Sequence, residues 1–210
     1  MPSQPEPSHY FSPTPGATSA RRRITLTLPE GRLLEFGTDR GVFSGDRVDP
    51  GTRFLLASVE LPEGARTVVD VGCGYGPIAV TMALRSEQGT IVWAVDVNER
   101  ARTLCAENAE LNGVGDRVRV VAPEDVPTDL TVDAIWSNPP IRIGKNALHA
   151  LLEEWIGRLS PDGVASLVVN KNLGADSLAR WMAGRGWTVD RSRSRVGYRV
   201  LSVTNGGVHR

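Results

Sequence analysis

Apolar and polar positions alternate along Ile24 to Leu28 and again along Leu33 to Phe36, with Pro29-Glu30-Gly31 between them. A period of two is that of a strand with one wet face, and the central turn residues predict a β-hairpin outside the main core. A helix is expected around Thr52 to Val59. Beyond it, short unbroken apolar runs are separated by stretches of helical period. These predict strands at Thr67 to Val71, Ile91 to Val95, Val118 to Val121, Ala134 to Ser137 and Val164 to Val169. Helices are predicted between them at Ile78 to Leu84, Arg100 to Leu111, Leu148 to Leu159 and Ser177 to Gly184. Strands apolar at nearly every position are buried on both faces, which predicts an α/β fold: a doubly wound, mostly parallel sheet with helices on either side. Trp187 to Arg193 and Tyr198 to Val203, joined through Arg195-Val196-Gly197, bring the sheet to seven strands and predict an antiparallel C-terminal end.

Composition narrows the class. The 210 residues, 40% of them hydrophobic, suffice for one good core, and no apolar run approaches the length of a membrane span. Residues 17–204 read as a single domain. Residues 1–16, rich in Pro, Ser and Thr and lacking the apolar stretch of a secretory signal, read as a flexible tail, and 205–210 as a second. The two cysteines, Cys73 and Cys105, fit a reducing cytoplasm, and no Cys/His cluster has metal-ligand spacing, so no metal is expected. Zero net charge argues against indiscriminate nucleic-acid binding. The charge is nevertheless uneven: Arg21-Arg22-Arg23 leads into the first strand, and Arg191, Arg193 and Arg195 would share one face of a regular strand.

Candidate chemistry lies at the strand ends. Val132 to Ser137 runs into Asn138-Pro139-Pro140-Ile141. The prolines fix φ near about −65° and lack N–H groups, so the turn offers mainly acceptors, the Asn138 side-chain oxygen and nearby carbonyls. A flat NH2 group could donate to two of them. Drawing both N–H bonds out of the plane of the neighbouring π-system would localise the nitrogen lone pair for attack on an electrophile. Upstream, Val68-Val69-Asp70-Val71 enters Gly72-Cys73-Gly74-Tyr75-Gly76-Pro77 and then a helix. Alternating glycines let a ligand approach the backbone, and the helix N-terminus favours an anionic group. The spacing misses the third glycine of a dinucleotide fingerprint, which would fall on Pro77. Asp70 suits a ligand carrying an ammonium or sulfonium. After the next strand, Asp96 can accept both hydroxyls of a ribose, and after the third, Glu124 or Asp125 could meet an adenine amino group.

Together Asp70-Val71-Gly72-Cys73-Gly74-Tyr75-Gly76, Asp96 and Asn138-Pro139-Pro140-Ile141 resemble the class I S-adenosylmethionine-dependent methyltransferases. More narrowly, the chain is similar to the "small" methyltransferase domain of the ribosomal RNA guanine-N2 methyltransferases. The narrower likeness rests on His9-Tyr10-Phe11, Gly41-Val42-Phe43-Ser44, Asp49-Pro50-Gly51-Thr52 and the continuation Ile141-Arg142-Ile143-Gly144-Lys145. It covers about residues 9–204. The resemblance implies a Rossmann-like methyltransferase fold and S-adenosylmethionine as cofactor, held by Asp70, Gly72, Cys73, Gly74, Gly76, Asp96, Val97, Glu124, Asp125 and Asn138. It makes Asn138, Pro139, Pro140 and Ile141 the catalytic turn. Many amino-methyltransferases carry an aromatic residue after the two prolines; Ile141 excludes π-stacking at that position. The better-characterised members are tandems of two such domains, and this chain has room for one.

An RNA substrate, ribosomal RNA or a ribosomal subunit, is the partner implied, with Phe43, Arg142, Lys145 and Lys171 expected to meet it. A base in helical RNA would first have to be flipped out of its stack. A methyltransferase acting on a protein glutamine, a nicotinamide-dependent oxidoreductase and a cofactor-binding module without catalysis remain alternatives at this stage.

Overall fold

The computed structural model describes residues 20–42, 44, 46–195 and 197–206. The expected tail over 1–16, the His9-Tyr10-Phe11 segment and Phe43 lie outside them, as do Val196 in the last turn and residues 207–210 of the second tail.

Strands β1 (Arg22–Thr27) and β2 (Leu33–Thr38) form the hairpin, with Ile24 opposite Phe36. It is a sheet of its own but not outside the core: Leu26, Leu34 and Phe36 are buried in the same cluster as the main sheet. The inward-facing half of its alternation packs on helix α3 (Glu99–Leu111), where Asn108 accepts from Gly37 N–H at 2.7 Å and donates to Gly37 O and Tyr75 O. Helix α1 (Pro50–Leu56) follows, capped by Asp49, whose carboxylate accepts from Gly51 N–H at 2.8 Å and Thr52 N–H at 3.1 Å.

The main sheet contains β3 (Thr67–Val71), β4 (Ile91–Val95), β5 (Val118–Val121), β6 (Val132–Ser137), β7 (Leu159–Asn170), β8 (Thr188–Arg195) and β9 (Tyr198–Thr204). Their order is β5-β4-β3-β6-β7-β9-β8, and β9 alone runs against the others. Helices α2 (Pro77–Arg85) and α3 cover one face with α1 and the hairpin; α4 (Lys145–Ile156) and α5 (Ala175–Gly184) cover the other. Because the chain moves outward from β3 through β4 to β5 and then returns to β6 on the far side of β3, the carboxyl ends of β3 and β6 border the crevice where such sheets bind ligands. No helix among the described residues is long and apolar enough to cross a membrane.

Two further expectations are corrected. The helix expected at Leu148 to Leu159 begins earlier, at Lys145, and ends at Ile156, while Leu159 already belongs to β7. The strand expected from Val164 thus starts at Leu159, and Ser160-Pro161-Asp162-Gly163 forms a bulge inside it, between the pairs Val132–Leu159 and Ala134–Val164. Gly163 allows it, since a Cβ there would meet Val132 O at 2.9 Å. The second correction concerns Arg191, Arg193 and Arg195. A register shift in β8 between Asp190 and Arg193 breaks the period of two. Arg191 joins Arg199 at Asp176 on the α5 side, whereas Arg193 lies opposite Val200 and borders a depression shared with Pro29, Glu30 and the end of α1.

Candidate active site

The glycine loop is held to the end of β4, since Gly72 N–H and Cys73 N–H both donate to Val95 O, at 2.8 and 3.0 Å. Gly72 and Gly74 have φ of 77° and 56°, in the region other residues avoid. A Cβ on Gly74 would meet nothing within 4 Å, and one on Gly72 would meet only Pro140 Cδ at 3.9 Å, so both face open space. Gly76 differs. A Cβ there would lie 2.7 Å from Cys105 Sγ, so this glycine is needed for the packing of α2 on α3.

Asp96 follows β4 and closes the loop from the other side. Its Oδ2 accepts from Gly74 N–H and its Oδ1 from Asn98 N–H, each at 2.9 Å, leaving a further lone pair on each oxygen. Burial holds its carboxyl above the ordinary 3.8, opposed by those two backbone bonds and by Arg102.

Asp70, expected to meet a cofactor, is instead wholly buried behind the loop and does not line the cavity. Its Oδ2 accepts from Ala79 N–H at 3.0 Å in the first turn of α2, and its Oδ1 has no hydrogen-bond partner among the described residues. It therefore ties the strand to the helix that starts after the loop. Its residue type was readable from sequence; its inward rotation depended on the loop's final path.

At the end of β6, Ser137 donates to Val71 O at 2.6 Å and brings the Asn-Pro-Pro turn against the glycine loop. Asn138 Nδ2 donates to Asp49 Oδ2 at 2.9 Å and Thr52 Oγ1 at 3.1 Å. The Pro139 carbonyl, expected to help hold an NH2 group, already accepts from Ile141 N–H at 2.8 Å and keeps one lone pair. Ile141 and Arg142 lie in a short helical turn after it.

These segments enclose one cavity of about 330 Å³, within the ~300–1,000 Å³ range of small-molecule sites. Gly72, Cys73, Gly74, Asp96, Asn138, Pro139, Pro140, Ile141 and Arg142 line it. So do residues that the sequence did not single out for the site: Asp49, which caps α1, and Thr52 in its first turn, with Tyr75, Asn98, Asn170 and Tyr198. Asp49-Pro50-Gly51 carries a helix-start signature, an acid before a proline; its second use at Asn138 had no local signal. Val97, Glu124, Asp125, Lys145 and Lys171 are exposed and do not line this cavity. The second and third follow β5, the last two start α4 and follow β7, so all remain near strand ends but outside the cavity wall.

Residues 33–202 match the family model of the methyltransferase small domain. The chain is a methyltransferase small domain. Its family makes it an S-adenosylmethionine-dependent methyltransferase. The domain is 39% identical over 198 residues to the uncharacterized protein YbxB of Bacillus subtilis, covering 93% of this chain and 97% of that one. It is 36% identical over 158 residues to the ribosomal RNA small subunit methyltransferase C of Hahella chejuensis, covering 72% of this chain and 45% of that protein. The match to the enzyme of the same name from Shewanella amazonensis is 30% and covers 49% of it, so the chain spans about half the length of these two relatives. Among solved structures, the Thermus thermophilus 16S rRNA N2 G1207 methyltransferase, in complex with AdoMet and guanosine, superposes with a TM-score of 0.73 at 24% identity. The superposition covers 91% of this chain and 52% of that one, and it establishes the fold.

The residues present in this methyltransferase small domain fit the cofactor. Gly72 and Gly74 leave open room beside the loop, Asp96 offers two spare acceptor positions, and the cavity continues to the Asn138 turn.

Asp70 adds a pH dependence. Burial, reinforced by the Asp96 charge, pushes its carboxyl well above its ordinary 3.8, so the folded state holds this proton more tightly than the unfolded chain. Its contribution to stability is full below the unfolded value and is lost as pH rises through the folded one. Asp70→Asn keeps an acceptor for Ala79 N–H and cannot ionise. Its urea midpoint is expected to gain on wild type between about pH 5 and about pH 8. A gap between the two proteins that stays constant over that range would show that Asp70 does not titrate differently on folding.

Proposed function

We propose that this protein transfers the methyl group of S-adenosylmethionine to an exocyclic amino nitrogen of a base in RNA, with guanine N2 of ribosomal RNA as the acceptor. The observation that carries this reading is the shared cavity. Asn138 lines it, with its Nδ2 taken up by Asp49 and Thr52 and its carbonyl oxygen without a hydrogen-bond partner among the described residues, beside the loop and the carboxylate suited to the cofactor.

S-adenosylmethionine supplies an electrophilic sulfonium methyl. Asn138 Oδ1 and the remaining lone pair of the Pro139 carbonyl would accept the two N–H bonds of the amino group, turning the nitrogen lone pair toward the methyl. With the cofactor bound, the N–C bond would form as the S–C bond broke, and the amino nitrogen held by Asn138 and Pro139 would take up the positive charge and then lose a proton to water. No strong base is needed, because the nitrogen becomes acidic only as it gains the methyl. Orientation carries most of the rate gain, up to ~7–11 kcal/mol in favourable cases. The uncharged product leaves Asn138 and Pro139 unchanged.

Acceptor contacts would come from Arg142 on the cavity wall and from Tyr198, which can supply the aromatic surface that Ile141 does not. Lys145 and Lys171, exposed beyond the rim, would serve RNA phosphates outside the cavity. Glu124 or Asp125 would reach adenine only from outside the present cavity wall. A ribosomal acceptor implies a cytoplasmic protein. Tyr198→Ala is expected to lower kcat/KM for RNA about tenfold, as loss of one base–aromatic stack does, with Tyr198→Phe near wild type. Equal activity of the alanine variant would remove Tyr198 from the acceptor site.

The reading is tested by incubating the protein with labelled S-adenosylmethionine and undermethylated ribosomal subunits, digesting the RNA and identifying the labelled nucleoside by mass. Label in N2-methylguanosine supports it. Label that resists ribonuclease and travels with a ribosomal protein would transfer the proposal to a carboxamide or amine of polypeptide.

A further inference from the structure

We infer that Asp49 and Thr52 are positioning residues that lock the Asn138 carboxamide with its oxygen toward the cavity, so that the site selects acceptor groups bringing an N–H. The inference rests on the acceptor reading above and deepens it.

A carboxamide has one acceptor end and one donor end, and which end meets the substrate decides what the site can recognise. In this protein the choice is made by residues 86 and 89 positions away in the chain. Asn138 Nδ2 carries two hydrogens, and its two partners, Asp49 Oδ2 and Thr52 Oγ1, can take both. Reversing the amide would set its oxygen 2.9 Å from a carboxylate that has no hydrogen to give. Asp49 is itself held, because the same Oδ2 accepts the N–H groups of Gly51 and Thr52 at the start of α1. Gly51 permits this crowding: a Cβ there would lie 2.8 Å from both Asp49 Oδ2 and Tyr198 Cε1. Thr52 is buried, which shields its contact from water.

Two consequences follow for recognition. Groups with only acceptor atoms, such as an unprotonated ring nitrogen or a carbonyl oxygen, meet oxygen against oxygen or nitrogen and are refused. An exocyclic amine or a carboxamide is accepted. The Asp49 charge also polarises the amide, strengthening Oδ1 as an acceptor, and lies on the cavity wall where the reacting nitrogen becomes positive. The cap of α1 thus doubles as a brace for the reaction.

The test uses the full chain with Thr52→Val, which keeps shape but loses the hydroxyl, and Asp49→Ser, which keeps a helix cap but is too short to hold Asn138. Single-turnover methylation should fall about tenfold in the first and about a hundredfold in the second, with cofactor affinity within about threefold of wild type. In an Asn138→Ala background neither substitution should lower the rate further, because positioning of an absent side chain has no value. Wild-type rates in both single variants, or losses that add in full to that of Asn138→Ala, would overturn the assignment. Side-chain amide exchange of Asn138, read by nitrogen-15 NMR, separates this inference from the acceptor reading: slow exchange in wild type that becomes fast in both variants supports the brace even if RNA is not methylated. Equally fast exchange in all three would defeat it.

Discussion

Asn138→Ala is expected to lower turnover on the RNA acceptor about a thousandfold while leaving S-adenosylmethionine affinity within a few-fold, the scale seen when one oriented hydrogen-bonding group is removed from a reacting centre. The separation of the two effects follows from where Asn138 stands. Its side chain leans on Asp49 and Thr52, so its loss takes the acceptor oxygen from the cavity without touching the glycine loop, which is held by Val95 O and Asp96. The measurement is a pair: isothermal titration with the cofactor and single-turnover methylation of the RNA. A variant that loses affinity and turnover together, with a lowered melting temperature, would assign Asn138 to the architecture of the turn.

The second large effect is the converse. Asp96→Ala should weaken cofactor affinity by about a hundredfold or more and leave turnover at saturating cofactor within a few-fold of wild type. Two losses combine: the spare acceptor positions for a ribose, with charge-assisted hydrogen bonds of about 1.5–3 kcal/mol each, and the anchor of the loop, because Gly74 N–H would have no partner. Asp96→Asn separates them in part, since its amide oxygen can still accept from Gly74 N–H while its NH2 end gives up the Asn98 N–H bond and one ribose acceptor. An affinity between those of wild type and the alanine variant is expected, measured by the same titration. Unchanged affinity in Asp96→Ala would remove this carboxylate from the cofactor site.

The two variants test opposite ends of a cavity that the topology creates. Asp96 follows β4 and Asn138 follows β6, and β3 with its glycine loop lies between them. Ser137 bonded to Val71 O and the loop bonded to Val95 O make these ends a single rigid unit. A change at one end is therefore expected to be felt at the other only if the loop itself moves.

Much of this was legible along the chain because it depends on local chemistry. The unbroken apolar runs marked the central strands, the glycine loop announced a close approach, and Asn138-Pro139-Pro140 announced a turn rich in acceptors. The parallel order with a reversed last strand followed from the alternation of elements. Short-range rules failed where a second segment decides the outcome. Arg191, Arg193 and Arg195 have a perfect period of two, yet the shift in β8 sends Arg191 to Asp176 and leaves Arg193 on the other side. The hairpin looks peripheral by its turn residues, yet Phe36 is fully buried against Tyr75.

By itself, then, the sequence determined the fold class, the family likeness, and the set of residues with the right functional groups at the strand ends, since each of these is written in spacing and residue type. Only the tertiary structure decided which of them face the cavity and which way they point. Asp70 turned inward to hold Ala79, Gly76 served the contact with Cys105, and Glu124 and Asp125 stayed outside. Asp49 and Thr52 entered the site from helix α1, and with them came the orientation of Asn138. The reason is physical: a side chain carries its donors and acceptors wherever it goes, but the direction in which it spends them is set by partners that folding brings from far along the chain.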